Sequence, residues 1–519
     1  MNNPRSLLPL ASFLLAIPIF ASWPQWRGAL RNGVDPESPA LTTEFPDDGP
    51  KLVWESFEIP SDDEGGHSSV VIQDGRVYLS LVWHRDVPAD ERTIDSRVIR
   101  NLGHRRTKLS EDKIAAMEKA RLGLSPRLRG KKLEEWIAGW VEANLDDEEQ
   151  QHYTGYVRER FRKGKLALPL DLLETVAAKK DHVFPSHEAL VEWVKEQGWP
   201  EELGRQVIDK VPATRQIATD TVLCLDAKNG AELWRHEKVT QKAPRNAAST
   251  PCVAEGRLFA VCSKHVYCLD AKDGKLVWEK EMTSTGPATS PIYAEGKLFL
   301  VDRGLTALDS KTGEKIWEQT KANNRLSSPS IWGEGESLTL AFQTNSEFQG
   351  VNANTGEIRW VASGGGESTA AIQGDILAVQ NKKSDSGLVV HRVTKDGINK
   401  VWEYLYTSRR YSSSPLVYGN KVFLLGAGRH LCADYTTGDI LWNQPAKSEI
   451  SSPLLADGKI LVLENNGTQL TILDANAEEY TELASTKVRA MRCPSPAISD
   501  GFLYVRKADR ISCFDLRKL

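Results

Sequence analysis

The sequence predicts an all-β fold, an eight-bladed β-propeller with a helical insertion in blade 1. Three observations carry that expectation: a repeat with a period of about 40 residues, a recurring marker for the strand that opens each blade, and a stretch from 85 to 216 in which the repeat is absent.

The best copy of the repeat is Ala307-Leu308-Asp309-Ser310-Lys311-Thr312-Gly313-Glu314-Lys315-Ile316-Trp317. The spacing of its small residue, Asp, Gly and Trp returns at Cys224, Asp226, Gly230 and Trp234, at Cys268, Asp270, Gly274 and Trp278, and at Cys432, Asp434, Gly438 and Trp442. Weaker copies end at Trp360, with Asn352 in the Asp position, and at Trp402, where the Gly-to-Trp spacing is one residue longer. Tryptophans at 234, 278, 317, 360, 402 and 442 are therefore 44, 39, 43, 42 and 40 residues apart, the period of a propeller blade. Each copy reads as strand, turn, strand. The Asp side chain accepts from backbone amides two residues on, and Gly supplies the positive φ of the turn. The Trp falls on the outer strand, where a large flat ring can fill the gap to the next sheet. Trp54, Trp234, Trp278, Trp317, Trp360, Trp402 and Trp442 are the expected docking residues.

The second marker sets the blade count. Ser/Thr-Pro opens an apolar run at Pro251, Pro291, Pro329, Pro415, Pro453 and Pro496, and Ser68-Ser69 and Ser368-Thr369 are degenerate counterparts, which makes eight innermost strands. The run Ile511 to Leu516 has no Trp strand after it, while Leu52-Val53-Trp54-Glu55 is a Trp strand with nothing before it. The N-terminal strand is expected to complete the last blade, closing the ring and removing the exposed sheet edges. The propeller is assigned to 51–84 and 217–519.

The interruption from 85 to 216 carries helix signals instead. Ser110 stands as an N-cap before Glu111 and Asp112, followed by Ile114, Met117, Ala120 and Arg121 at helical spacing. Leu133, Trp136, Ile137 and Trp140 form an apolar stripe, and Ser186 starts a helix through Leu190, Trp193 and Val194 that stops at Gly198. These stripes read as the core of a small helical domain. Its basic runs, Arg97 to Lys108 and Arg127 to Lys132, are answered by acidic ones such as Asp146 to Glu149, the pattern of a solvated surface.

Composition sets the class. The chain has 519 residues, 40% hydrophobic and 26% charged, and its net charge of -4 is too small to imply nucleic acid or an anionic membrane. Residues 1–21 have Arg5 in a short polar head and an apolar stretch from Leu7 to Phe20, which reads as a secretory signal peptide; a short membrane anchor is the alternative. A leader, 22–50, follows. Seven cysteines in an exported chain invite a disulfide framework, but register opposes it. Cys224, Cys268, Cys432 and Cys513 share the small-residue position of different blades, and the hairpin turn near Glu255-Gly256 sets Cys252 opposite Phe259 rather than Cys262.

The Ala-x-Asp-x-x-Thr-Gly-x-x-x-Trp pattern resembles the tryptophan-docking repeat of pyrroloquinoline-quinone-type (PQQ-like) β-propellers. That group includes quinoprotein dehydrogenases and the non-catalytic BamB-like propellers of outer-membrane assembly. Trp23-Pro24-Gln25-Trp26-Arg27-Gly28, followed by Arg31-Asn32-Gly33, also resembles a leader found in front of some bacterial propellers of this group. For the dehydrogenases the resemblance implies PQQ, Ca²⁺ and a vicinal Cys-Cys pair. This sequence has no adjacent cysteines, and no catalytic Asp can be matched. Nucleotide-binding, zincin and nucleophile-elbow motifs are also missing. Gly364-Gly365-Gly366 precedes a strand and reads as a loop, and His67, His265 and His430 are expected in loops without ligand spacing.

Residues just before each innermost strand should rim the mouth of the channel: His67, Arg245, Arg325, Glu367, Arg409, Arg410, Tyr411, Glu449 and Arg492. Five arginines against two carboxylates suit an anionic or polar ligand, because guanidinium presents its donors in a fixed fork. Blade topology further expects the insertion to leave from that same face. The resulting expectation is an exported, non-catalytic, BamB-like scaffold with an envelope protein partner, no cofactor, no metal and at most peripheral membrane contact. The alternatives are a PQQ- and Ca²⁺-dependent oxidoreductase with an atypical site and a carbohydrate- or peptide-binding propeller.

Overall fold

The computed structural model describes residues 22–518 apart from 62–64, 242–248, 285–287, 383–386, 395–396, 406–412, 427–428 and 447–450. It divides into two compact units, the residues up to His84 together with Ile217 onward, and Arg85–Gln216. The apolar stretch from Leu7 to Phe20 lies outside the described residues. Among those described, no helix is long and apolar enough to cross a membrane.

The first unit is built of eight sheets, each of four antiparallel strands, one of them carrying a fifth strand in parallel. The third sheet shows the plan: Ile292–Ala294, Lys297–Val301, Leu305–Asp309 and Lys315–Gln319, paired in that order. Its two middle strands are buried almost throughout, whereas the outer one is exposed or half-exposed along its length. Counted along the chain by their first strands, the sheets open at Val71–Gln73, Cys252–Ala254, Ile292–Ala294, Ser330–Trp332, Ala371–Gln373, Leu416–Tyr418, Leu454–Ala456 and Ala497–Ser499. Each of these strands is three residues long; six stand directly after a Ser/Thr-Pro pair, and the other two follow Ser68-Ser69 and Ser368-Thr369 with one residue between.

The repeat motif has one physical meaning throughout. Its small residue faces the Trp across the outer strand pair: Cys224 with Trp234, Cys268 with Trp278, Ala307 with Trp317, Gly350 with Trp360, and Cys432 with Trp442. A small side chain leaves the indole room, and a register shift follows at once in every pair. In the turn, Asp309 Oδ1 accepts from Lys311 N and Thr312 N at 2.8 and 2.9 Å. Asn352 makes the same bond to Asn354 N, so its amide serves in the Asp position. Gly313 has φ +73, and a Cβ there would stand 2.7 Å from the Trp278 ring of the preceding sheet. Backbone conformation and the neighbouring indole thus both require glycine.

The N-terminal strand Lys51–Glu55 joins the eighth sheet, pairing with Ile511–Asp515 so that Trp54 faces Cys513. Val34–Asp35, from the segment read as a separate leader, adds in parallel to Leu455–Ala456 and makes the seventh sheet five-stranded. All seven cysteines are free thiols, and Cys252 does face Phe259.

The second unit enters and leaves the first sheet through two long strands, Arg76–Pro88 and Thr214–Asp226. It holds helices α1 (Ser96–Leu102), α2 (Glu111–Gly123), α3 (Gly130–Asn144), α4 (Asp147–Lys163), α5 (Leu170–Ala178), α6 (His187–Glu196) and α7 (Glu201–Lys210). Ser110 and Ser186 cap α2 and α6. Two cores divide it. One gathers Met117, Ile137, Val141, Val157 and Phe161 from α2, α3 and α4, and the other gathers residues of α1, α5, α6 and α7 around Phe184 and Trp193. The unit is not wholly helical, because Arg92–Ile94 and His182–Phe184 pair as a small sheet. Among its charges, Arg97 meets Asp86 and Asp95, Arg105 meets Glu159, and Asp146 caps α4.

Candidate functional site

The hydroxyls ahead of the first strands are joined head to tail. Ser69 N donates to Thr250 Oγ1, Thr250 N to Ser290 Oγ, Ser290 N to Ser328 Oγ, and Ser328 N to Thr369 Oγ1. Thr369 N donates to Ser414 Oγ, Ser414 N to Ser452 Oγ, Ser452 N to Ser495 Oγ, and Ser495 N returns to Ser69 Oγ. The links are 2.9–3.1 Å long and satisfy buried backbone donors without any charge. The sequence pointed to the prolines as strand starts; the residue before each proline makes the connection.

Residues 23–35 lie across this cycle. Trp23 exchanges backbone hydrogen bonds with Ile72 of the first sheet, and Val253 N of the second donates to Pro24 O. Trp26 Nε1 reaches Ser495 Oγ beside the eighth sheet. Arg31 donates to the carbonyls of Ser290 (2.8 Å), Pro329 (3.3 Å) and Pro291, and to Gln25 Oε1. Arg27 donates to Asn32 O (3.0 Å) and to Pro415 O (2.5 Å), opposite. A segment expected to precede the propeller is therefore bonded to the heads of its sheets. Carbonyls at the heads of the first strands are its receptor.

Of the residues expected at the rim, Arg245, Arg409, Arg410, Tyr411 and Glu449 lie outside the described residues. His67, Arg325, Glu367 and Arg492 each stand two or three positions before a hydroxyl of the cycle, Arg325 and Arg492 exposed and the other two half-buried. Glu367 pairs with Lys382 at 3.1 Å, and the Arg325 carbonyl accepts from Ala288 N. Gly364–Gly366 forms a loop whose Gly366 carbonyl accepts from Asn324 Nδ2.

Two histidines expected in loops are not there. His265 opens the strand His265–Asp270, and His430 lies inside Arg429–Asp434, 1% exposed and 3.6 Å from Glu464. His265 follows a bend of only two residues, Ser263 and Lys264. Burial pushes the His430 imidazole pKa below its ordinary value, against the pull of Glu464.

A polar cluster went unforeseen. Asp220 is fully buried and accepts from Ser263 N at 3.0 Å and from Tyr267 hydroxyl at 2.8 Å, with His265 Nδ1 3.9 Å away. Burial raises the Asp220 pKa above the usual carboxylate range despite these donors. A lone Asp within an apolar strand was the available signal. Among the described residues, no group of three or more His, Cys, Asp or Glu is placed to hold a metal ion.

Residues 218–363 and 335–479 match the family described as outer membrane protein assembly factor BamB, a PQQ-like repeat family, and together they cover just over half of the chain. The chain belongs to this family. Its repeat unit is accordingly a β-propeller of the PQQ-like type. Among solved structures, BamB from Moraxella catarrhalis matches at 13% identity and a TM-score of 0.48, over 58% of this chain and 89% of that one. Sqt1 from Saccharomyces cerevisiae matches at 8% identity and 0.46, over 58% and 93%. Quinohemoprotein alcohol dehydrogenase from Comamonas testosteroni matches at 11% identity and 0.41, over 58% and 73%. No curated protein matches the sequence.

Proposed function

We propose that this PQQ-like repeat protein is an exported, non-catalytic scaffold that binds a protein partner at the cell envelope. Residues 1–21 act as its signal peptide and 22–50 as its leader. In this reading the eight sheets are the blades of a closed propeller, 51–84 with 217–519, and residues 85–216 are a helical insertion in blade 1. The closed run of eight hydroxyl bonds supports the ring. The Trp residues dock each blade on the next, as the bonds from Trp54, Trp234, Trp278, Trp317 and Trp402 Nε1 to carbonyls of following sheets support.

One observation carries the scaffold reading. The centre of the cycle, where all repeats could contribute to one small-molecule site, is taken by the chain's own Trp23–Asp35. Recognition then falls to the loops ahead of the first strands, with His67, Arg245, Arg325, Glu367, Arg409, Arg410, Tyr411, Glu449 and Arg492 as the rim, and to the insertion.

Crosslinking and pull-down from envelope extracts tests this directly. A specific protein partner should be recovered, and replacing Arg245, Arg325 and Arg492 together should weaken its binding; unchanged affinity would remove the rim from the site. Incubation with PQQ and Ca²⁺ tests the oxidoreductase alternative, since a bound chromophore with dye reduction would overturn the non-catalytic reading. Replacing residues 90–212 by a short Gly/Ser bridge should leave the repeat unit folded, because the two units have separate cores. Loss of partner binding in that folded variant is the expected result.

A further inference from the structure

Among the described residues, no carboxylate pairs with Arg27 or Arg31. Both guanidiniums are at most 2% exposed. Among the described residues, every acceptor they reach is neutral: the carbonyls of Asn32, Pro415, Ser290, Pro329 and Pro291, and Gln25 Oε1. The leader's own carboxylate, Asp35, has Asp500 and Glu37 as its charged neighbours instead. Burial lowers the pKa of Arg27 to about 9, with help from the Arg31 charge, and that of Arg31 to about 10. Both remain cations at neutral pH. Two like charges buried together without a counter-charge are strongly unfavourable.

The donors are not exhausted either. Arg27 Nε and Nη1 and Arg31 Nε are buried and meet no acceptor. The backbone, moreover, holds both arginines in the left-handed region, at φ +64 and +54, which non-glycine residues rarely adopt. Such conformations persist where the surroundings demand them, and they gather at binding sites. Water could accept from the spare donors, but it would leave both charges unbalanced. A tetrahedral oxyanion, with four oxygens that each accept more than once, needs more donors than the N–H groups of these three nitrogens offer, whereas a single halide ion does not.

We propose that the leader itself, where it crosses the hydroxyl cycle, holds a small monovalent anion of the halide class, bound between Arg27 and Arg31 through their unused N–H groups. The ion offsets both charges, saturates the donors and locks the leader across the sheets. Binding to the folded state alone makes stability depend on the anion.

Two measurements on the exported protein test this. In crystals soaked with bromide, an anomalous peak should stand in contact with Arg27 and Arg31 side chains. In solution, Tm should be several degrees higher in chloride than in gluconate at equal ionic strength, and R31M should lose that difference. No bromide peak overturns the proposal without reference to any variant. A peak accompanied by equal Tm values in the two salts marks an adventitious ion only and overturns it as well, as does an undiminished chloride effect in R31M.

Discussion

In the repeat unit, the two devices that recur from one sheet to the next are neutral: eight hydroxyls accepting from backbone N–H groups, and indole N–H groups reaching carbonyls. In the insertion, the corresponding contact between α2 and α4 is ionic. Glu118 accepts from Arg121 at 2.5 and 3.0 Å and from Arg160 at 2.6 and 2.9 Å, and both arginines are 3% exposed. The contrast follows from the contacts available. Repeats meet the same neighbour at every turn, so one neutral device can be copied; the insertion packs dissimilar helices and needs a specific pair to set their register. The first unit should therefore respond to lost packing, and the second to lost charge.

Trp317→Ala is the hardest blow to that contrast. The ring is half-buried against the fourth sheet, over Gly356 with its Nε1 on Ala353 O at 3.0 Å. Truncation should destabilise the repeat unit by roughly 3–5 kcal/mol, read by chemical denaturation. An unchanged Tm would refute the docking role.

Next in size is Glu118→Gln. It leaves two buried guanidiniums without a full counter-charge, and, discounted for the partial exposure of Glu118, should cost about 2–3 kcal/mol. Hydrogen exchange should show α2 and α4 opening while Leu305–Asp309 stays protected. Equal loss of protection in both units would mean that they unfold together.

Acid sharpens the same comparison. Burial alone would raise the Glu118 pKa, but the hydrogen bonds from Arg160 and Arg121 outweigh it and hold the carboxyl below its ordinary value. A carboxyl depressed in the folded state contributes stability above its unfolded pKa and loses it as pH falls through the folded one. Protection of α2 and α4 should decline across that acid window in the native protein and stay flat across it in Glu118→Gln. A decline of the same slope in the variant would assign the acid sensitivity to other groups.

What the sequence made legible follows the same division. The Asp-Gly-Trp repeat could be read because its contacts join consecutive copies, such as Gly313 with Trp278, and so recur at one spacing. The pairing of Trp54 with Cys513 could be read because two unmatched strands remained. Arg31 gave no such sign: the carbonyls of Ser290 and Pro329 that it reaches are 259 and 298 residues away, and no periodicity links them to it. Arg92–Ile94 pairs with His182–Phe184 across six intervening elements, and three-residue strands leave no alternation to detect. Of the rim, four of nine residues are placed, because the others fall outside the described residues.

The smallest effect is the most discriminating. Ser328→Ala removes one acceptor from the cycle and strands the buried N–H of Ser290, whose own carbonyl receives Arg31 at 2.8 Å. A lost neutral hydrogen bond with its donor left buried costs about 1–2 kcal/mol. The onward link from Ser328 N to Thr369 Oγ1 uses the backbone and survives the substitution, so the damage should stay local. Thr369→Ser keeps the hydroxyl and should cost less than Thr369→Ala, which isolates the hydrogen bond from the packing of the side chain. No ionisable group takes part, so the Ser328→Ala loss should be the same at neutral pH and in the acid window below the ordinary carboxylate pKa, where that of Glu118→Gln shrinks. Denaturant titrations at the two pH values decide it: a Ser328→Ala penalty that fades in acid would mean that the cycle, too, leans on charge.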